Sequence, residues 1–265
     1  MEFGFIGAGR MASACVKGLL KNNFEPVQIG CLSATGGSAR ALAKETGIQF
    51  FDAIEALTRD ASIWVLGMKP YQLGDLPESL AEASDGKLII SMLAGVKLEK
   101  LQKQFPKARN WIRIMPNTPS QIGAGITGVS YAHSPSAVDR ASFETMLEAL
   151  GKSAEIDESH MDALTAVSGS GVAYVFEWAA SMIAAGEKMG LTAEVSKALT
   201  LQTFLGASKL MAESTELEPR QLRDAVVSKG GTTEAALNVF ADADQSRLIE
   251  RAMEAAATRS KELSK

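Results

Sequence analysis

Short apolar runs alternate with helical patterns over the first 150 residues of the chain. The apolar runs predict strands at Glu2–Ile6, Val27–Leu32, Ile63–Gly67, Leu88–Ser91, Asn110–Met115 and Gly125–Tyr131. Apolar residues at helical spacing predict helices at Met11–Asn22, Ser38–Thr46, Leu76–Ala83 and Leu98–Phe105. This alternation is typical of βαβ units, so it predicts a doubly wound, mostly parallel sheet with right-handed crossovers.

The pattern changes after Ile156, and no convincing strand follows from Met161 onward. Helical spacing there predicts helices at Met161–Val167, Val172–Met189, Ala193–Glu213, Pro219–Val227, Thr233–Ala241 and Gln245–Ser264. The expected fold class is therefore α/β followed by all-α. We expect a sheet domain at residues 1–157 and a helical domain at residues 158–265.

The predicted helix Val172–Met189 carries apolar residues nearly all the way round, which is typical of a helix buried on every side. A small helical domain has difficulty covering that much apolar surface by itself. We therefore infer a homo-oligomer formed through these helices. The alternative is that the chain's own domain buries the helix.

Composition narrows the expected partners of the chain. It has 265 residues and a net charge of −4, and no basic run stands out, so nucleic acid is not an expected partner. The apolar runs are too short for a membrane span. The two cysteines, Cys15 and Cys31, and the lack of a signal peptide predict a reducing cytoplasm. The two histidines, His133 and His160, are expected at the surface, and no metal site is predicted.

The first strand runs into a Gly-x-Gly-x-x-Ala turn that opens the first helix. The turn consists of Gly7, Gly9, Arg10, Met11 and Ala12, with Ala8 between the glycines. In this context the first glycine permits a tight turn, the second lets a pyrophosphate approach the backbone, and the alanine permits close helix-sheet packing. The turn predicts dinucleotide binding; the alternative is a plain tight turn.

The end of the second predicted strand indicates which dinucleotide is bound. NAD-binding proteins usually place a carboxylate there for the ribose 2′-hydroxyl, but this chain has Ser33 followed by Thr35 and Arg40. These side chains suit a 2′-phosphate, so NADPH is favoured and NADH remains possible. An ordinary polar loop is the alternative.

Two further loops follow strands of the predicted sheet. Lys69 and Pro70 follow the third strand, and Asn117 lies between Pro116 and Pro119 after the fifth. Open α/β sheets bind ligands at the carboxyl ends of their strands, so both loops are candidate cofactor contacts. Either can equally be a structural turn.

Two glycine-rich stretches lie in the helical half. Residues 168–171 read Ser-Gly-Ser-Gly before a long helix, where we expect Ser170 as a cap and free N–H groups that face an anion. The second stretch reads Gly230, Gly231, Thr232 and Thr233. It offers N–H donors and hydroxyls to a small carboxylate. The alternative for the first stretch is a capped turn between helices.

Taken in order, these motifs resemble the pyrroline-5-carboxylate reductase family over essentially the whole chain. The matching segments are Gly4–Ala12, Lys69–Pro70, Met115–Pro119, Ser168–Tyr174, Lys188–Leu191 and Ser228–Thr233. The resemblance implies a Rossmann domain followed by a helical dimerisation domain, in dimers that often assemble into decamers. It implies the NAD(P)H-dependent reduction of the cyclic imine pyrroline-5-carboxylate to L-proline.

The resemblance also implies residue roles. Ser33 faces the 2′-phosphate, and Asn117 lies near the nicotinamide. Lys69, Pro70 and Ala94 border the cofactor. Ser170 and Thr232 line the substrate pocket, and the backbone of Gly230, Gly231 and Thr232 suits the substrate carboxylate.

The chain departs from the family pattern at four positions, which are Ile54, Val172, Glu177 and Ala225. Ile54 and Ala225 replace asparagines and suggest altered cofactor contacts. Glu177 is a candidate proton donor, or it favours a cationic iminium, or it points away. Together with Ser170 and Lys69 of the matching motifs, Glu177 completes the set of candidate catalytic residues.

Two other functions stay open from the sequence. One is a related imine or keto-acid reductase on the same scaffold, such as the β-hydroxyacid dehydrogenases. Those enzymes use a Gly-x-x-x-Lys-x-x-Asn helix, which the segment around Gly186 and Lys188 does not match. The other is a non-catalytic nucleotide-binding homologue, which the intact 230–233 loop argues against.

Overall fold

Residues 1–263 are described by the structure, a computed structural model, and they form eight strands and twelve α-helices. The strands are β1 (Phe3–Ile6), β2 (Ile29–Leu32), β3 (Gln49–Phe50), β4 (Ile63–Leu66), β5 (Leu88–Ser91), β6 (Asn110–Met115), β7 (Gly125–Tyr131) and β8 (Gly151–Glu155). The helices are α1 (Arg10–Lys21), α2 (Gly37–Thr46), α3 (Ile54–Asp60), α4 (Ser79–Ala83), α5 (Leu98–Gln104), α6 (Ala137–Leu150), α7 (Met161–Leu164), α8 (Gly171–Lys188), α9 (Ala193–Glu213), α10 (Pro219–Ala225), α11 (Thr232–Asp242) and α12 (Gln245–Leu263).

The strands form one sheet in the order β3-β2-β1-β4-β5-β6-β7-β8. Every neighbouring pair is parallel except β6 and β7. Buried apolar residues form two clusters, one around Phe3 and Val65 and the other around Trp64 and Leu66. Side chains of adjacent strand residues point to opposite faces, so the sheet is covered on both sides. The predicted doubly wound, mostly parallel sheet is confirmed.

The chain divides into two compact units. The first contains residues 1–170 together with the end of α12 from residue 256, and the second contains residues 171–255. In the second unit α8 packs against α9 at Gly186, where a Cβ atom would lie 2.3 Å from the Ser196 hydroxyl. The ring of Trp178 on α8 meets Phe240 of α11 edge to face, with centroids 6.0 Å apart. The helical second half that the sequence predicts is confirmed.

The helices of the second unit expose many large apolar side chains. Examples are Phe176 at 66% exposure, Leu199 at 56% and Val239 at 65%. Apolar surface of this extent on neighbouring helices is typical of a protein-protein interface. No helix within residues 1–263 is long and apolar enough to cross a membrane.

The structure adds elements that the pattern did not predict. These are β3, β8, α3 and α6. The two residues of β3 are too few for a periodic signal, and four of the five residues of β8 are exposed, so neither carries an apolar run. The predicted helix Leu76–Ala83 is also shorter, because α4 starts after Pro77 and a 3₁₀ turn, Pro70–Asp75, precedes it.

The boundaries in the second half differ by a few residues. The predicted helix Met161–Val167 ends as an α-helix at Leu164 and continues as a π-turn, Thr165–Gly169. The last helix, α12, extends to Leu263, and the predicted end at Ser264 lies outside the described residues. No strand occurs between Met161 and Leu263, as the sequence predicts.

Candidate active site

The turn from β1 to α1 depends on a glycine at position 7. Gly7 has a φ of +109°, and a Cβ atom there would lie 2.4 Å from the Met68 nitrogen and 2.5 Å from the Gly67 carbonyl carbon. Both neighbours are backbone atoms in the segment after β4. A side chain at position 7 would therefore force two neighbouring loops apart.

Gly9, two residues later, has the opposite environment. It is exposed, its φ is −78°, and a Cβ atom there would meet nothing within 4 Å. It precedes α1, whose first turn has no acidic residue and no side-chain cap. The N–H groups at this helix start are thus available to an anion, and the space beside Gly9 fits a pyrophosphate.

The other residues of the turn differ in burial. Ala12 is buried against the sheet, while Arg10 is exposed and Met11 is half-buried. Close packing at Ala12 brings the start of α1 near the sheet edge. The turn therefore has the geometry that dinucleotide binding requires.

The loop after β2 combines a serine hydroxyl with an arginine. The Ser33 hydroxyl accepts the N–H of Ala39 at 3.2 Å. A Cβ atom at Gly36 would lie 3.7 Å from Nε of Arg40, and the guanidinium of that arginine pairs with Asp52 at 2.9 Å. The β2 end itself carries no carboxylate that would repel a 2′-phosphate, although Asp52 places a negative charge beside the arginine.

The remaining predicted cofactor residues follow neighbouring parallel strands. Lys69 and Pro70 follow β4, Ala94 follows β5, and Asn117 follows β6. Because β1, β2, β4, β5 and β6 are parallel, these residues lie at one edge of the sheet. Lys69 and Ala94 are exposed, and the Lys69 N–H donates to the Gln72 side chain at 3.0 Å.

Asn117 differs from these residues because it is only 8% exposed. Its Oδ1 accepts the N–H of Ile126, at the start of β7, at 3.0 Å. Its Nδ2 donates to the carbonyl of Ser168 at 3.2 Å. The side chain thus joins the end of β6 to β7 and to the Ser-Gly-Ser-Gly stretch.

Ser170 lies inside a continuous helical run and does not cap α8. It has helical dihedrals, φ −82° and ψ −29°, whereas a capping residue has an extended backbone. Its N–H donates to the Thr165 carbonyl, five residues earlier, at 2.8 Å. The predicted cap is therefore wrong, and this N–H is not free for an anion. The hydroxyl of Ser170 remains a candidate substrate contact.

Glu177 lies on α8, two turns after the start of the helix. Its carboxylate is exposed and accepts the Ser181 hydroxyl at 3.4 Å. An exposed carboxylate with one long hydrogen bond is free to take a proton-transfer or charge-stabilising role, which stays a prediction.

The 230–233 loop uses part of its donor set internally. The N–H of Gly230 donates to the Glu234 carboxylate at 2.7 Å, and the N–H of Gly231 donates to the Ser228 carbonyl at 2.9 Å. Gly230 has the positive φ of the loop, +72°, while Gly231 is extended. Thr232 and Thr233 begin α11, where N–H groups have no partner within the helix.

Glu234 is a site residue that our sequence reasoning missed. It lies at the third helical position of α11, where a glutamate commonly reaches back to an N–H group before the helix. A glutamate three residues after the Gly230-Gly231 pair is the sequence signal that predicts this hydrogen bond. The carboxylate accepts an N–H group that the sequence assigns to an anionic ligand, so Glu234 would compete with such a ligand at this loop.

The cysteines and histidines do not contribute reactive groups here. Burial raises the pKa of Cys15 to about 12 and that of Cys31 to about 11, so both are thiols at neutral pH. His133 and His160 are exposed, as expected. Among residues 1–263 no three His, Cys, Asp or Glu side chains are grouped to hold a metal ion.

Two family models match the chain. One, described as pyrroline-5-carboxylate reductase dimerisation, matches residues 158–263. The other, described as NADP oxidoreductase coenzyme F420-dependent, matches residues 2–95.

Relatives from bacteria match over nearly the full length. Pyrroline-5-carboxylate reductase of Pseudomonas aeruginosa is 39% identical, with 98% of this chain and 95% of the relative covered. Pyrroline-5-carboxylate reductase 2 of Bacillus subtilis is 35% identical, with 99% and 95% covered.

Solved structures agree with the sequence matches. A pyrroline-5-carboxylate reductase from Coxiella burnetii superposes with a TM-score of 0.90 at 34% identity, over 100% of this chain and 98% of the other. The Plasmodium falciparum enzyme, solved with NADP bound, superposes with a TM-score of 0.88 at 29% identity, over 100% and 98%.

Proposed function

The chain belongs to the pyrroline-5-carboxylate reductase family, and we propose from that premise which residues perform the reaction. Its activity is the NAD(P)H-dependent reduction of 1-pyrroline-5-carboxylate to L-proline. Full-length similarity to reductases named for this reaction carries the assignment, at 39% identity over 98% of the chain. The imine carbon is electrophilic, and more so when its nitrogen is protonated, so the protein mainly aligns the reactants.

The first unit holds the cofactor. The open space at Gly9 and the uncapped start of α1 suit the pyrophosphate, and Arg10, Met11 and Ala12 complete that turn. Ser33 and Arg40 favour NADPH over NADH because no carboxylate stands at the end of β2. Lys69, Pro70 and Ala94 border the cofactor from the neighbouring strands. When bound, the cofactor supplies the hydride that reduces the imine carbon.

The substrate is held by hydroxyl and backbone donors. Thr232 and Thr233 hold the carboxylate with the first N–H groups of α11, and Gly230 and Gly231 shape the loop that lets the anion approach. Ser170 contacts the ring. These donors bind the carboxylate without a buried arginine.

The ring nitrogen gains a proton on reduction, and two side chains are candidates for supplying it. Ser170 and Glu177 are proposed to hold or deliver the proton at that nitrogen. Lys69 adds a positive charge on the cofactor side. A carboxylate such as Glu177 also stabilises a protonated imine.

The protein is a homo-oligomer. We propose a dimer through the helices after residue 157, since α8, α9 and α11 expose apolar side chains that a partner chain would cover. Residues 1–157 then form the dinucleotide-binding domain and residues 158–265 the dimerisation and substrate-binding domain. A cytoplasmic location is proposed from the unpaired, buried thiols of Cys15 and Cys31. Nucleic acid is not a proposed partner.

The decisive experiment is NADPH oxidation by the purified protein, with and without pyrroline-5-carboxylate, followed by detection of proline. Oxidation that depends on the imine and forms proline in equal amount is expected. NADPH binding without turnover would favour a non-catalytic homologue. Turnover of other cyclic imines or keto acids alone would favour a related reductase.

A further inference from the structure

We infer that Asn117 is a positioning residue whose amide fixes the π-turn Thr165–Gly169 and thereby the place of Ser170. The inference rests on the proposed function, in which Ser170 contacts the substrate. It assigns Asn117 a structural role, whereas the family resemblance implies only that the residue lies near the nicotinamide.

The amide of Asn117 is largely occupied by the protein itself. It lies just after β6, is 8% exposed, and bonds both Ile126 and Ser168. An amide offers two N–H donors and one acceptor oxygen, and here the oxygen and one donor have protein partners. Burial with two partners on separate segments is the arrangement of a structural bridge.

The π-turn explains why a donor is needed at Ser168. The N–H of Ser170 reaches back five residues to Thr165, so the usual ladder of four-residue hydrogen bonds is interrupted there. Carbonyl groups around such an interruption need donors from outside the helix. The Ser168 hydroxyl is itself turned back to the Leu164 carbonyl at 3.1 Å, and Asn117 supplies the external donor.

The segment also lies in contact distance of the end of β6. A Cβ atom at Gly169 would lie 3.4 Å from both the Met115 terminal methyl carbon and the Thr165 side chain. Ser170 follows directly. In a helix each residue is rotated by about 100° from the one before, so losing the extra residue of the π-turn would reorient Ser170 by roughly that angle. The bond from Asn117 therefore protects the orientation of a proposed substrate contact.

Asn117→Asp tests this role because it replaces the amide donor by a carboxyl group of nearly the same shape. The introduced carboxylate still accepts the N–H of Ile126, but it repels the Ser168 carbonyl. When protonated, the carboxyl regains one O–H donor and can restore the bond. Burial is expected to raise its pKa above the usual value near 4.

Asn110→Asp is the matched control. Asn110 is also buried and lies at the other end of β6, where its amide donates to the His133 carbonyl at 2.8 Å. The two substitutions thus have the same chemistry, one at the first residue of β6 and the other just after the strand ends. Asn117→Ala removes the donor at every pH.

For Asn117→Asp, kcat/KM for pyrroline-5-carboxylate should fall roughly 10- to 100-fold near neutral pH, while NADPH Kd in the binary complex stays unchanged. The ratio of variant to wild-type kcat/KM should rise as the pH falls through the pKa of the introduced carboxyl. The ratio for Asn117→Ala should stay flat, and Asn110→Asp should alter stability without altering KM. A parallel loss of NADPH affinity, or a flat ratio for Asn117→Asp, overturns the inference.

A second readout does not depend on activity. Hydrogen-exchange mass spectrometry should show faster exchange in peptides covering residues 161–171 for Asn117→Asp, and wild-type rates there for Asn110→Asp. Equal rates in all three proteins overturn the inference. If the wild-type protein does not reduce the imine, the proposed function fails while exchange still tests the bridge.

Discussion

Gly7 and Gly9 are two residues apart, and the structure predicts opposite consequences when each gains a side chain. At Gly7 a Cβ atom would lie 2.4 Å from the Met68 nitrogen, on a backbone with φ +109°. At Gly9 it would meet nothing within 4 Å, on an ordinary backbone. Gly7→Ala should therefore damage the fold, and Gly9→Ala should be tolerated by it.

The magnitudes follow from these environments. Backbone strain of this kind costs about 1–3 kcal/mol, and the collision with backbone atoms adds to it, so Gly7→Ala should lose more than about 3 kcal/mol. That is a large part of a typical total stability of about 5–15 kcal/mol. Gly9→Ala should change stability by less than about 1 kcal/mol, because glycine and alanine differ modestly at a helix start.

Gly9→Asp adds a charge at the same open position. Unit charges about 4 Å apart interact by about 1 kcal/mol in water and about 4 kcal/mol at the edge of a protein. NADPH affinity should therefore fall roughly 5- to 1,000-fold, with stability close to that of wild type. Gly9→Ala should weaken NADPH binding less, because it adds bulk without charge.

Urea denaturation and calorimetric titration with NADPH separate the two effects. Gly7→Ala should shift the urea midpoint, and Gly9→Asp should shift Kd. The placement of the cofactor at this turn is refuted if Gly9→Asp is native in stability and binds NADPH as wild type does. The steric argument is refuted if Gly7→Ala unfolds at the wild-type midpoint.

Three further predictions concern selectivity, substrate affinity and acid stability. Ser33→Asp should lower the NADPH-to-NADH ratio of kcat/KM, because a carboxylate repels the 2′-phosphate; a wild-type protein that prefers NADH would contradict this. Glu234→Gln should lower KM for pyrroline-5-carboxylate roughly fivefold by removing a competing charge from the 230–233 loop, whereas a higher KM would show that Glu234 assists binding. Burial raises the pKa of Asp139, but its hydrogen bonds with Arg109 and the charge of that residue outweigh burial and leave the pKa below its usual value. Asp139→Asn should therefore cost about 2–4 kcal/mol at neutral pH. The wild-type advantage, which is fully present above the unfolded-state pKa near 4, should shrink as pH falls toward the lower folded-state pKa; an advantage that is constant with pH would contradict the linkage.

The features that sequence predicts well in this chain are local ones. Ten consecutive residues, 3–12, encode strand β1 and the turn after it, and the structure has both as expected. The motif predicts the contrast between Gly7 and Gly9, since it assigns one to the turn and the other to the phosphate. Only the structure shows how sharply their surroundings differ.

Elements at the margin of the fold were harder to predict. Strand β8 is polar and exposed. Helix α6 carries only a modest apolar stripe. Contacts with neighbouring elements stabilise them: β8 pairs with β7, and α6 packs on α1. Periodicity along the chain cannot report contacts of that kind.

Contacts that are distant in sequence also determine the candidate site, so sequence patterns describe it incompletely. Glu234 lies four residues after Gly230, so its hydrogen bond was within reach of a local rule. The bond of Asn117 joins residues 51 positions apart, to a backbone carbonyl that has no sequence signature at all. A motif gives only the identity of the side chain, and an amide between two prolines after a strand predicts a ligand contact. Whether that amide binds a ligand or holds a helix turn depends on its hydrogen-bond partner. Here the partner is the Ser168 carbonyl, which lies beside Asn117 only in the folded chain.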